Sequence, residues 1–270
     1  MSFSLLCATR FDPFLEAFEW NNGPDGRPSP YLLLSHQLDR LVSSACNHEW
    51  AVSHSLNYAR LKDTCDKTVH EANGVDGKRP LKIRVVLTPS GGMETTTTPV
   101  EPLRYDPTKP SCFNPETDPH AQFEPILSIL VDTQPTSGTV SMKTTYRQPY
   151  DDARARAGIP LVGTPRPRDI ASDRPDDVVL FNTSKLITES SICNVAFYRN
   201  GNWFTPPLAV GCISGVFRRW LLENDRIHEA VEDPILLDTI KDNEWVLVFN
   251  GVMGCRLGRV RLVQATNVQE

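Results

Sequence analysis

The chain has 270 residues, 40% hydrophobic and 23% charged, with a formal net charge of −5 at pH 7. That balance describes an ordinary globular protein, long enough that two domains are the default, and its mild acidity argues against a nucleic-acid or anionic-membrane surface. No apolar run reaches membrane-spanning length, residues 1–7 lack the basic start and full apolar stretch of a secretory signal, and seven scattered cysteines without a Cys-x-x-Cys pair fit reduced thiols in the cytoplasm rather than a zinc site or disulfides.

In chain order, residues 14–20 form a compact apolar element and 23–30 a loop rich in proline and glycine. A helix follows over 35–45. Leu38, Leu41, Val42 and Ala45 recur at helical spacing on one face, which leaves His36 and Arg40 together on another. Taken alone, Arg40 reads as a solvated helix charge. A second helix is expected over 55–72, with Leu56, Ala59, Leu61 and Cys65 as its apolar members and Asn73-Gly74 as its stop. Residues 82–87 read as an internal strand and 89–92 as a turn. Residues 95–124, with four consecutive threonines and repeated prolines, read as a long irregular arm before a strand at 125–131. That strand is taken as the crossing between a small domain, 1–130, and a larger one, 131–270.

Lys143 follows a short extended stretch and opens a basic helix. A lysine that forms an imine must be neutral part of the time, so it needs burial or a nearby cation; by itself Lys143 is an ordinary surface lysine. Beyond it come a strand at 178–181, a turn at 182–185, an extended pattern at 186–188, and a strand at 194–198 that ends in the hairpin signal Asn200-Gly201. Residues 211–215 make a glycine-bearing turn into a helix starting at Val216, an arrangement that offers free N–H groups to a phosphate, although most such turns bind nothing. A buried strand at 246–249 ends at Asn250-Gly251-Val252.

The run E-S-S-I-C-N at 189–194, then Asn-Gly, then Thr-Pro-Pro, then G-C-I-S-G-V-F-R-R, resembles the signature of the class IV pyridoxal-phosphate enzymes. That family includes branched-chain and D-amino-acid aminotransferases and 4-amino-4-deoxychorismate lyase. The run L-L-S-H-Q-L-D-R-L is similar to the family's N-terminal His/Arg-Leu motif, whose arginine contacts the cofactor phosphate, here Arg40. Lys143 stands 46 residues before Glu189, about where the family places its cofactor-bearing lysine. The K-T-T-Y-R-Q-P-Y form is closer to fungal lyase-like members than to the aminotransferases.

The resemblance implies an α+β, two-domain fold of type IV, with a small N-terminal α/β domain and a larger, strand-rich, barrel-like C-terminal domain. It implies pyridoxal 5'-phosphate as cofactor, Lys143 as catalytic residue and Glu189 against the ring nitrogen. Asn194 would support the site, and Arg40 with the N–H groups of Val216 and Phe217 would hold the phosphate. Phe217 replaces the hydroxyl residue of many relatives. Asn250 and Gly251 read equally as a second phosphate-contacting turn or as a plain strand-to-loop turn. Branched-chain aminotransferases carry a tyrosine five residues after the lysine; that position is Gln148, which leaves Tyr146 or Tyr150 for the role. Arg84 and Arg147, by charge, are candidates for substrate carboxylates.

The expected activity is the lyase reaction, from 4-amino-4-deoxychorismate to 4-aminobenzoate and pyruvate. A transaminase for branched-chain amino acids, D-amino acids or amines is the alternative, and a non-catalytic cofactor-binding relative a third. The family further implies a homodimer acting on a small amine.

Overall fold

The computed structural model describes residues 3–74, 77–136, 143–164 and 174–263. Residues 141–142, read above as leading into Lys143, lie outside the described residues. Two sheets organise the rest. In the first, β1 (Leu5–Phe11), β2 (Leu81–Leu87) and β3 (Met93–Pro99) run antiparallel in that order. Alternate side chains point to one face, as the strand period of two requires. There Leu5, Cys7, Ile83 and Val85 meet Leu41 and Ala45 of α1 (Leu34–Asn47) and Leu61 and Cys65 of α2 (Tyr58–Asn73).

Three sequence expectations change here. Residues 93–99, assigned above partly to an irregular arm, are a full strand. Threonine is β-branched and suits an outer strand whose alternate residues, Thr96 and Thr98, face solvent. The second helix begins at Tyr58 rather than at 55, because the Asn57 side chain accepts from the Arg60 N–H and caps it there. On α1 the buried set includes polar Gln37 and Ser44 beside Leu41 and Ala45, while Leu38 and Val42 are only partly covered. The helix is wedged between the apolar sheet and a polar cavity, so it has two inward faces.

The second sheet contains β4 (Leu127–Val131), β5 (Asp177–Phe181), β6 (Ile187–Ser190), β7 (Asn194–Arg199), β8 (Asn202–Thr205), β9 (His228–Glu229), β10 (Trp245–Asn250) and β11 (Gly254–Arg261). Their order is β6-β5-β4-β11-β10-β7-β8-β9, and β4 pairs in parallel with both β5 and β11. Asn200 and Gly201, both at positive φ (48° and 82°), turn β7 into β8.

This order forces the sheet to curl. β6 and β7 are five strand spacings apart in the sheet, which is about 24 Å if it were flat. They are joined only by residues 191–193, whose four steps reach at most about 14 Å. The sheet must bend until its β6 edge comes back beside β7, and the 189–194 segment lies at that closure. Two helices flank the sheet: α3 (Gln148–Arg156) and α4 (Val216–Glu223). Phe217, Trp220 and Leu221 of α4 pack with Phe249 and Leu257 of the sheet and with Trp20 from the chain's early 3-10 turns.

Because Phe217 is fully buried in that cluster, Phe217→Ala is expected to cost about 3–5 kcal/mol. Urea unfolding followed by circular dichroism checks this; a loss under about 1 kcal/mol would mean that α4 is not anchored through this ring.

Candidate functional site

A cavity opens where β1, α1, α3, the 189–194 turn and the start of α4 converge, and it is shared by Arg40, Lys143, Glu189, Gly215 and Gly251. The segment carrying Lys143 is fixed along the edge of β1: Leu6 N–H donates to Lys143 O at 2.9 Å and Thr145 N–H to Ser4 O at 3.1 Å. Burial pushes the Lys143 amine down to about 8, assisted by Arg40 and Arg147 and opposed by Glu189. Roughly a tenth of the amine is then neutral at pH 7.

Glu189 is buried at the end of β6 and held by three donors. Tyr150 Oη–H donates to Oε1 at 2.6 Å, Ile213 N–H to Oε2 at 3.1 Å and Asn194 Nδ2 to Oε2 at 3.3 Å. Burial raises its pKa to about 7 in spite of those donors and of Lys143. Asn194 also donates to Ile213 O at 2.8 Å, so one side chain ties the carboxylate to the turn before α4. Below it, Asp177 accepts from Ser190 Oγ (2.6 Å) and Ser191 Oγ (2.5 Å), and Arg154 donates to Ser191 at 2.7 Å. This network pins the turn that follows Glu189.

At the other end lies an anion site. Arg40 has no carboxylate partner among the described residues. Its Nη2 donates to Gln37 Oε1 at 2.7 Å, and Gln37 Nε2 donates to Ala8 O at 2.5 Å. Burial lowers the guanidinium's proton affinity. α4 begins at Gly215 without a side-chain cap, so its first N–H groups, Val216 and Phe217 among them, are open. Two glycines make room. A Cβ at Gly215 would run into Asn194 Oδ1, and one at Gly251 into Gln37 Nε2 and, at 2.9 Å, Val216 Cγ2. A desolvated cation, open helix N–H groups and a backbone cradle are what a bound phosphate needs; with an amine and a carboxylate in the same cavity, the donor set fits pyridoxal phosphate. Among the described residues no group of three or more His, Cys, Asp or Glu is placed to hold a metal.

Residues 166–259 match the family described as "Amino-transferase class IV". That match spans 94 of the 270 residues (166 to 259), so the likeness to this family is confined to part of the C-terminal half. Arg40 and Lys143 precede the matched stretch, and the fold brings them to it. The chain is 37% identical over 127 residues to a Schizosaccharomyces pombe protein named "Putative aminodeoxychorismate lyase", covering 46% of this chain and 50% of that one. It is 34% identical over 140 residues to the aminodeoxychorismate lyase of Saccharomyces cerevisiae, covering 49% and 37%. The chain thus spans half or less of the length of these relatives. Among solved structures, the branched-chain amino acid aminotransferase of Escherichia coli superposes with a TM-score of 0.61 at 12% identity, over 97% of this chain and 77% of that one. The fold is type IV.

Not all of the expected site residues meet in the cavity. Lys143, Glu189, Asn194, Arg40, Arg147, Val216, Asn250 and Gly251 line it. Phe217 can reach it only through its backbone, since its ring is in the core. Tyr146 is a correction: its side chain is 56% exposed, and Tyr150, one helical turn on in the start of α3, is the buried tyrosine that enters the site. Gln148 faces outward and donates to Asp152. Arg84 is not part of the cavity lining; it lies on β2 opposite Ala8, which is. Asn250 Oδ1 accepts from the Val252 and Met253 N–H groups at 2.8 and 2.9 Å, so its side chain closes its own turn and those two donors are taken. Cys193 and Cys212 are buried neutral thiols, the latter raised to about 12 by burial.

Gln37 was missed by the sequence reading, because a glutamine beside the arginine motif carries no periodic or charge signal. So were the Asp177–Ser190–Ser191–Arg154 ties, whose only trace is the serine pair after Glu189.

The opposed shifts make a pH signature in the protein without added cofactor. Glu189 is raised from 4.5 to about 7 on folding, so its stabilisation is fully present below pH 4.5 and is lost as pH rises through about 7. Lys143 is lowered from 10.5 to about 8, so its contribution grows between those values as pH rises. The melting temperature of Glu189→Gln, compared with wild type across pH 4.5–7, is expected to lack the wild-type decline; parallel profiles would show that Glu189 is not the buried titrating group.

Proposed function

We propose that this protein is a pyridoxal-phosphate-dependent lyase that converts 4-amino-4-deoxychorismate to 4-aminobenzoate and pyruvate. The observation that carries the reading is one cavity holding a half-buried amine shifted to about 8, a buried carboxylate shifted to about 7 and a half-buried arginine without a carboxylate partner among the described residues. The choice of lyase within the class IV family is supported by the two fungal relatives, both named aminodeoxychorismate lyases.

Lys143 would carry the cofactor, Arg40 with the α4 N–H groups would hold its phosphate, and Glu189 would face its ring nitrogen. Bound there, pyridoxal phosphate supplies an electron sink for the substrate carbon that bears the amine. The remaining work falls to the chain. Lys143 Nζ, neutral often enough near pH 7, takes the proton from that ring carbon and serves as the acid afterwards. As the enolpyruvyl C–O bond breaks, the oxygen leaves with its three-carbon unit as pyruvate and the ring becomes aromatic. Glu189, fixed by Tyr150, Ile213 and Asn194, would meet the ring nitrogen without having to reorganise. Seven free cysteines, five of them buried, support the cytoplasm as compartment, and the same reading carries a homodimer, to be measured by light scattering.

The test is to supply cofactor and 4-amino-4-deoxychorismate with no keto acid, and to follow 4-aminobenzoate by fluorescence and pyruvate by a coupled dehydrogenase. Equal amounts of both products are expected, with a loss of at least about 10³-fold in Lys143→Ala. Stoichiometric conversion of the cofactor to its amine form by branched-chain or D-amino acids, with no 4-aminobenzoate, would replace the lyase by a transaminase. Borohydride reduction and peptide mapping should place the cofactor on Lys143; an adduct on another lysine would overturn the site.

A further inference from the structure

Arg40, Lys143, Gly215 and Val216 are walls of two spaces, not one. On one side is the cavity with Glu189, which encloses about 30 Å³, the share of a single water. On the other, between α1 and α4, is a chamber of about 360 Å³, within the range of small-molecule sites. Tyr150, Glu189 and Asn194 line only the first; Ser43, Asn47, Ser214 and Arg219, all exposed, line only the second. A substituted pyridine ring does not fit in the space of one water, so seating it requires the two spaces to join. The movable groups between them are the side chains of Arg40 and Lys143. Arg40 is held by one hydrogen bond, to Gln37 Oε1, and Lys143 Nζ by none among the described residues.

The chamber has the chemistry of an anion site. His36, Arg40, Lys143 and Arg219 line it against one acid, Asp39. The hydroxyls of Ser43, Ser44 and Ser214 and the amide of Asn47 line it as well, and none of these side chains hydrogen-bonds to a described residue, which leaves their donors for a ligand. Ion pairs tie the two helices together here. Arg219 Nη1 donates to Asp39 Oδ2 of α1 at 2.8 Å and its Nε to Glu223 Oε1 at 2.7 Å, while His36 Nε2 of α1 lies 3.2 Å from Glu223 Oε2. Arg219, Asp39 and Glu223 are each about half exposed, and such pairs add little stability, so the tie can break while both helices stay folded.

We propose that the chamber between α1 and α4 is the loading site of the cofactor: a pyridoxal phosphate monoester docks there, passes between Arg40 and Lys143 ring first, and stops with its phosphate at the shared wall. The order of the residues sets the direction. Glu189, the partner of the ring nitrogen, belongs only to the inner space, whereas Arg40 and the start of α4 belong to both, so the ring leads and the phosphate trails. The proposal rests on the reading of the inner cavity as the cofactor site and adds the route into it. Arg219 is a positioning residue, the latch between α1 and α4, with no contact to the reacting atoms.

Loading is measured on the full chain stripped of cofactor, by stopped-flow quenching of tryptophan fluorescence. Two probes are used: pyridoxal 5'-phosphate, and pyridoxine 5'-phosphate, which has no aldehyde and cannot bond to Lys143. A change to a route alters association and release together and leaves Kd alone, whereas a change to a binding contact alters Kd. Arg219→Gln and Asp39→Asn are each expected to speed both rates about threefold or more, and Ser43→Trp to slow both about tenfold or more, with Kd within about twofold of wild type. Unchanged melting temperatures show that the variants fold. Faster release at an unchanged association rate would make Arg219 a prop of the phosphate site and overturn the route, as would rates that neither the unlatched nor the blocked variant moves. If pyridoxal phosphate responds and pyridoxine phosphate does not, the variants act on the chemistry of Lys143 and the chamber is not the way in. Wild-type protein that takes up neither probe removes the cofactor reading and the route with it; uptake at rates insensitive to all three variants removes the route alone.

Discussion

The site depends on desolvating an amine and a carboxylate in the same cavity. In water the pair would be fully ionised at neutral pH, with the amine protonated and unreactive. Burial works against charge on both: it moves Lys143 to about 8 and Glu189 to about 7, and their mutual attraction restrains each shift. Arg40 breaks the symmetry. As a half-buried cation with no carboxylate of its own among the described residues, it acts on Lys143 in the direction of losing the proton. An arginine there stays charged where a lysine would not, so it can impose that bias while remaining ready for an anion.

Such a pair survives only in a frame that does not relax, and the curl of the large sheet provides it. The turn at 191–193 closes β6 onto β7 across a span that a flat sheet could not bridge, which puts Glu189 and Asn194 at the closure. Asn194 then couples the carboxylate to the turn before α4, so the carboxylate and the open helix N–H groups are set by a single side chain. Gly215 fits because Asn194 occupies the space a Cβ would take, and Gly251 because Gln37 does. The two ends of the cavity are therefore not independent.

Elements with strong local chemistry were legible in the sequence. The Asn200-Gly201 hairpin, the strands at 178–181 and 246–249 and the start of α4 at Val216 all follow from turn type or apolar runs, and the structure has them where expected. What was lost depends on distant partners. Residues 5–11 are a strand only because β2 and the Lys143 segment pair with both of its edges. The four threonines gave a composition signal for a loop, and cross-strand pairing with β2 outweighed it. Tyr146 and Tyr150 differ by four positions, but Arg147 and Gln148 begin a helix between them, and that rotation decides which ring enters the cavity. The Asn250 Oδ1 is used by its own turn, where it accepts from two N–H groups within three residues.

Overall charge says little about such a site. The protein is acidic, yet its cations are divided between two uses. Arg10, Arg154 and Arg156 are spent on Asp12, Asp177 and Asp132, where paired charges fix loops to the sheets. Arg40, in the cavity, has no such carboxylate partner among the described residues. A buried or half-buried cation that folding does not neutralise raises the energy of the empty protein, and an anion arriving there recovers that energy on binding. Whether a cation is partnered, as Arg10 is and Arg40 is not, is a sharper guide to where negative groups dock than net charge is.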